Sequence, residues 1–274
     1  MWKYFIKNRL AIMFGSKVNW GTGEYVLFCI ALLTLICLGP SVYSAETPDQ
    51  PAFTQEINPD ALKAFNQGLR LEREGKYQEA IPLFQEAARL QHNYAEPCLH
   101  LGLAFAFLKQ YPEAVEAFKE AVRLQPRWVA ARENLGAALS KTGQWEAARA
   151  EFQEAVKLRP DGAEAHYHLG VALGKLGRHQ EALDAFAKAV KLQPNFIKAY
   201  DNLGMAYIKL ERWQDAGNTF KKAVSLKADD PEARYGLCAY YIHVGDREAA
   251  AKEYEALKRL DPQMAQKLAD LLQK

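Results

Sequence analysis

Five residues that can both donate and accept hydrogen bonds, Asn66, His100, Asn134, His168 and Asn202, recur every 34 residues in a chain of 274. A ladder of such side chains could pair with the backbone of an extended peptide whatever its sequence. Lys141, Lys175 and Lys209 keep the same interval, and Tyr167 stands beside His168. For metal chemistry the natural pair would be His166 and His168. Two residues apart on a helix, however, side chains point about 200° apart and share no ion. No phosphate-cradling glycine loop, serine elbow or metalloprotease motif occurs. The expected chemistry is therefore binding, with no cofactor, no metal and no catalytic activity.

The interval belongs to a larger pattern. Gly68, Gly102, Gly136, Gly170 and Gly204 mark one place, which Cys238 holds the sixth time. Twelve residues later comes an alanine in every unit, from Ala80 to Ala250. Four further on stands an aromatic: Phe84, Phe118, Phe152, Phe186, Phe220 and Tyr254. A leucine closes each unit, and Pro126, Pro160, Pro194 and Pro262 follow four of these leucines. Small residues at the glycine and alanine places allow two antiparallel helices to approach closely. The Phe and Leu lie on one stripe of the second helix. Proline cannot continue that helix and suits the first turn of the next. No such unit buries its own apolar face, so the units must stack. Turns are placed at Glu74-Gly75, Gln110-Tyr111, Thr142-Gly143, Leu176-Gly177, Glu211-Arg212 and Val244-Gly245.

These residues resemble the tetratricopeptide repeat family, over 204 of the 274 residues. The departures are Gln67 for Leu, Cys238 for Gly, Leu257 for Ala, and His92 and Ala228 for Pro. The resemblance implies an all-α, right-handed α-solenoid of helix-turn-helix repeats with a C-terminal capping helix. It also implies that the first helix of each unit lines a groove, with inward residues six, three and two before each glycine and one, four and five after it. On that frame Asn66, His100, Asn134, His168 and Asn202 form the peptide ladder, with Lys141, Lys175, Lys209 and Tyr167 beside them. Leu62, Phe65, Leu69, Leu99, Leu103 and Phe107 make the first two units apolar, an expected interaction patch for an amphipathic segment or a second copy of the chain. Units three to five are charged instead, with Glu133, Glu164 and Asp201 near the lysines. The lysine-and-asparagine pair with which some family members clamp a terminal carboxylate has no match.

Charge and cysteine usage narrow the partners. Formal net charge is +2, but residues 1–45 carry Lys3, Lys7, Arg9 and Lys17 against Glu24, leaving 31 basic and 32 acidic residues in the remainder. A nucleic-acid partner, which needs a concentrated basic face, is not expected. Cys98 and Cys238 lie four units apart, beyond disulfide reach, and read as inert core thiols.

The apolar run 25–39 reads as the core of a signal peptide or signal anchor over residues 1–45, with translation starting at Met1 or Met13. Basic residues ahead of it keep the leader inside. The repeats are therefore expected on the extracytoplasmic side, periplasmic in a bacterium, with membrane contact only through 25–39 if that segment is uncleaved. Residues 46–58 read as a linker, and Asn58-Pro59 as an N-cap with proline at the first helical position. The solenoid is placed at 59–274, with repeats 61–94, 95–128, 129–162, 163–196, 197–230 and 231–264 and a cap at 265–274. The expected function is an exported scaffold that binds peptide segments of partner proteins in envelope or secretory-pathway assembly. The alternatives are a self-associating homo-oligomer and an accessory subunit that docks a separate enzyme.

Overall fold

A computed structural model of the chain describes residues 57–272, with side chains described to residue 269. The leader and nearly all of the linker lie outside the described residues. Thirteen helices and no strand are present among those described. In chain order they are α1 (Pro59–Arg73), α2 (Tyr77–Leu90), α3 (Ala95–Phe107), α4 (Tyr111–Leu124), α5 (Val129–Lys141), α6 (Trp145–Leu158), α7 (Ala163–Lys175), α8 (His179–Leu192), α9 (Ile197–Lys209), α10 (Trp213–Leu226), α11 (Pro231–Val244), α12 (Arg247–Leu260) and α13 (Pro262–Leu272). The fold is an all-α solenoid of helix pairs.

The first helix starts where local chemistry dictates. The Asn58 side chain accepts from the Asp60 and Ala61 amides at 2.9 and 3.4 Å, with Pro59 at the first turn. Each pair then turns through one residue in the left-handed region, Gly75, Lys109, Gly143, Gly177, Glu211 or Gly245. The next amide reaches back five residues to close the turn, as from Lys76 to the Leu71 carbonyl at 2.9 Å and from Gln144 to Leu139 at 2.9 Å. The turn of the second unit thus centres on Lys109, one residue before the expected Gln110-Tyr111. Tyr111 already opens α4.

Inside each of the first five units the phenylalanine ring of the second helix packs against the glycine of the first. A β-carbon added at Gly136 would meet the Phe152 ring at 2.7 Å, and one at Gly102 would meet Phe118 at 2.5 Å. Phe84, Phe118, Phe152 and Phe220 are fully buried by this contact. Each such ring contributes roughly 2–3 kcal/mol of apolar burial. The units are further tied through the position four before the glycine place. There Arg132, His166 and Arg234 hydrogen-bond the Pro126, Pro160 and Ala228 carbonyls that lead into their own helices. His166 and His168 are thereby engaged in different directions.

Besides chain neighbours, only first helices touch one another among the described residues: α1 with α3, α3 with α5, and so on to α11 with α13. Second helices do not meet. The stack is therefore tighter along the first helices, which makes their free side the concave one. At its C-terminal end α13 lays Ala265 and Leu268 onto Cys238 and Leu257, all buried.

Candidate peptide-binding groove

The position two before the glycine place does not stand free in the groove. It rides on the phenylalanine of the preceding unit. The His168 ring stacks on Phe152 at 5.3 Å between centroids, and His100 lies 5.6 Å from Phe84. Where Gly236 occupies this place, an added β-carbon would meet Phe220 at 2.2 Å. The ladder residues are accordingly committed in part to packing. His100 Nδ1 lies 2.7 Å from Glu72 Oε2, in hydrogen-bond contact, with its ring edge-on to Phe65. Asn134 and Asn202 donate to the Ala130 and Lys198 carbonyls, each at 2.8 Å. Burial pushes the His168 pKa down, which favours its neutral ring. Asn66, with no preceding helix pair among the described residues, is exposed. It faces an open depression of about 470 Å³ on α1 that Leu62, Lys63 and Arg70 also line.

The apolar patch of the first two units is corrected in a similar way. Phe65 and Leu99 are buried at 7 and 8% exposure, so they belong to the core. Phe65 packs on Phe84, Tyr94 and His100. Leu69 and Leu103 are half-buried, while Leu62 and Phe107 alone of the six remain exposed. The reason is that the position three before the glycine faces the next unit rather than solvent. Tyr167, at the same position, is wedged against Phe196 at 5.0 Å between ring centroids. Burial raises its pKa.

The groove floor comes from the position just after the glycine: Leu69, Leu103, Ala137, Val171, Met205 and Ala239. All are apolar and at least partly exposed. Sequence reasoning named this offset as inward but did not single out its uniform apolar character. One rim is formed by the last residue or so of each first helix, which in three units covers the aromatic that opens the second helix of the preceding unit. Phe107 stacks on Tyr77 at 4.4 Å, Lys175 Nζ lies 5.9 Å from the Trp145 centroid, and His243 stacks on Trp213 at 3.9 Å. Lys141 and Lys209 occupy the same rim and are exposed.

The neighbouring carboxylates differ sharply from one another. Glu133 is held by Arg159 at 2.7 Å. Asp201 is 8% exposed, and its Oδ1 has no hydrogen-bond partner among the described residues. Burial, then the charges of Asp230 and Glu232, push its pKa up to about 7, against a smaller opposing pull from Lys227. Of the three only Glu164 is exposed, and it makes no ion pair among the described residues.

Comparison with known proteins agrees with the repeat. Residues 65–127, 99–143 and 133–195, and again 207–274, match models described as tetratricopeptide repeat. The chain belongs to the tetratricopeptide repeat family. MamA from Desulfovibrio magneticus RS-1 (residues 41 to the end) is 30% identical, with a TM-score of 0.60. The match covers 63% of this chain and 97% of that one. PilF of Pseudomonas aeruginosa, 19% identical over 77% of this chain and 97% of its own, has a TM-score of 0.65. YrrB, described as a tetratricopeptide repeat protein with an unusual peptide-binding site, is 20% identical over 68% of this chain and 97% of its own, at 0.59. The last two are alike in fold alone. No curated protein matches the sequence.

The tetratricopeptide groove offers an apolar floor, a basic rim and a few partly engaged amides, which is equipment for binding. Cys98 and Cys238 take no part. Both are buried and their thiols are pushed up to about 11, chiefly by burial, which leaves almost no reactive thiolate near neutral pH.

Proposed function

We propose that the protein is an exported scaffold that holds extended peptide segments of envelope or secretory-pathway proteins along the concave face of its first helices. The observation that carries this reading is the floor itself: six apolar side chains, one per unit, half-exposed or exposed along the side where first helices meet. A continuous wet apolar strip of this kind marks an interaction surface. The peptide-binding site named for YrrB offers a precedent on the same fold. Export is supported by the apolar run 25–39 behind four basic residues. With Phe65 and Leu99 in the core, self-association through the first two units is left with Leu62, Phe107 and the half-buried Leu69 and Leu103, whereas the apolar floor runs through all six units, and the groove reading is preferred.

The test is photo-crosslinking in cells with the full chain, placing the crosslinking residue at Ala137 on the floor or at Lys188 on the exposed side of α8. Adducts to envelope proteins from Ala137, absent from Lys188, are the expected outcome. Adducts from Lys188 alone would remove the groove from consideration, and adducts only to cytoplasmic proteins would remove export.

A further inference from the structure

We infer that the segment held by units three to five is acidic on one edge and apolar on the other, read by Lys141, Lys175 and Lys209 along the rim and by Ala137, Val171 and Met205 on the floor. This inference rests on the groove reading above and adds the chemical class of the ligand. In the sequence the three lysines look balanced by Glu133, Glu164 and Asp201. The structure removes two of those three. Glu133 already spends its charge on Arg159, and Asp201 is sealed beneath the surface. Lys141, Lys175 and Lys209 are exposed, with no carboxylate within ion-pair distance among the described residues, as is Lys198 on the opposite edge. Glu164 remains as a lone exposed carboxylate, so this stretch of groove is cationic.

Geometry sets the length of the match. Adjacent packed helices lie roughly 8–10 Å apart, and the three lysines sit on alternate helices that are themselves in contact. The row therefore spans about 20 Å, which an extended chain crosses in about six residues. Acidic side chains on alternate residues of such a chain face one edge while the intervening apolar ones face the floor. The half-buried Val171 and the exposed Ala137 and Met205 offer contact area without demanding a single side-chain shape. A cationic rim steers an acidic segment into the groove and rejects a basic one.

The experiment titrates the purified full chain, in detergent, against two fluorescent peptides of about ten residues. One alternates glutamate with leucine and alanine, and the other replaces each glutamate with lysine. Each is measured against wild type and a Lys141→Gln/Lys175→Gln/Lys209→Gln variant. The substituted residues are exposed helix ends, so circular dichroism should show an unchanged fold. The acidic peptide should bind wild type, weaken about tenfold in the triple variant, and weaken with salt. Equal or tighter binding of the basic peptide, no binding of the acidic one, or an unchanged affinity in the triple variant would each overturn the assignment. Crosslinking from Ala137 judges the groove separately: adducts there with a failed acidic probe would leave the groove reading standing and discard the acidic ligand.

Discussion

Asp201 shows how one residue can depart from its repeat. Its place holds Phe65, Leu99, Glu133, Tyr167 and Tyr235 in the other units, but here the carboxylate is buried with one oxygen unpaired among the described residues. Around it stand Tyr167 and Asn202 from α7 and α9, Lys227 and Asp230 from the turn after α10, and Glu232 on α11. Its folded pKa of about 7 lies above the value of about 3.9 in an unfolded chain, so the folded state binds the extra proton. Stability from this group is fully present below the unfolded value and is lost as pH rises toward 7, with no further change above it. The full difference is on the order of 4 kcal/mol. Asp201→Asn mimics the protonated form and removes the titration. The stability of the variant relative to wild type should therefore climb between about pH 4 and 7 and then level off. Hydrogen exchange of α9 and α11 amides, corrected for intrinsic rates, measures that difference. A flat difference across this range would mean that Asp201 is solvated in the folded chain.

At the scale of the element, much was legible because a fixed interval carries its own registration. The glycine, alanine and phenylalanine places announced two helices and their contact, and Gly68 to Phe84 behaves as Gly204 to Phe220 does. What remained hidden was how much of each inward position the neighbouring unit covers. Spacing tells which face His168 occupies, but only packing reveals Phe152 beneath it. The same gap placed Phe65 and Leu99 on the surface. The turns carry a related lesson. Lys109 and Glu211 occupy the place of Gly75, Gly143, Gly177 and Gly245, at φ of 60° and 58°. A residue with a β-carbon bears roughly 1–2 kcal/mol of strain there. Lys109→Gly and Glu211→Gly should each raise stability by about 1 kcal/mol, because the relief exceeds the added freedom of glycine in the unfolded chain. Chemical denaturation reads the gain. A loss instead would show that these side chains make contacts that outweigh the strain.

For the molecule as a whole, a solenoid is stabilised between neighbours, so its two ends decide where it opens first. The ends here are unequal. At the N-terminal end of the described residues Ile57 and Leu62 are 40 and 39% exposed. At the other end α13 seals the last pair, and the sequence has adapted to it. Where five units place an alanine on the second helix, from Ala87 to Ala223, the sixth places Leu257, fully buried against Cys238 and Leu268. The larger side chain fills the contact among α11, α12 and α13. Leu268→Asp puts a carboxylate into that contact at a cost of several kcal/mol. Because units communicate only through adjacent interfaces, the damage should stay local. Hydrogen exchange should rise throughout α11, α12 and α13 while α1 to α6 keep their protection. Leu62→Asp on the exposed side of α1 should change stability by less than about 0.5 kcal/mol. Equal loss of protection in every unit of the Leu268 variant would show that the six pairs unfold as one block, and that the cap governs the stability of the whole array.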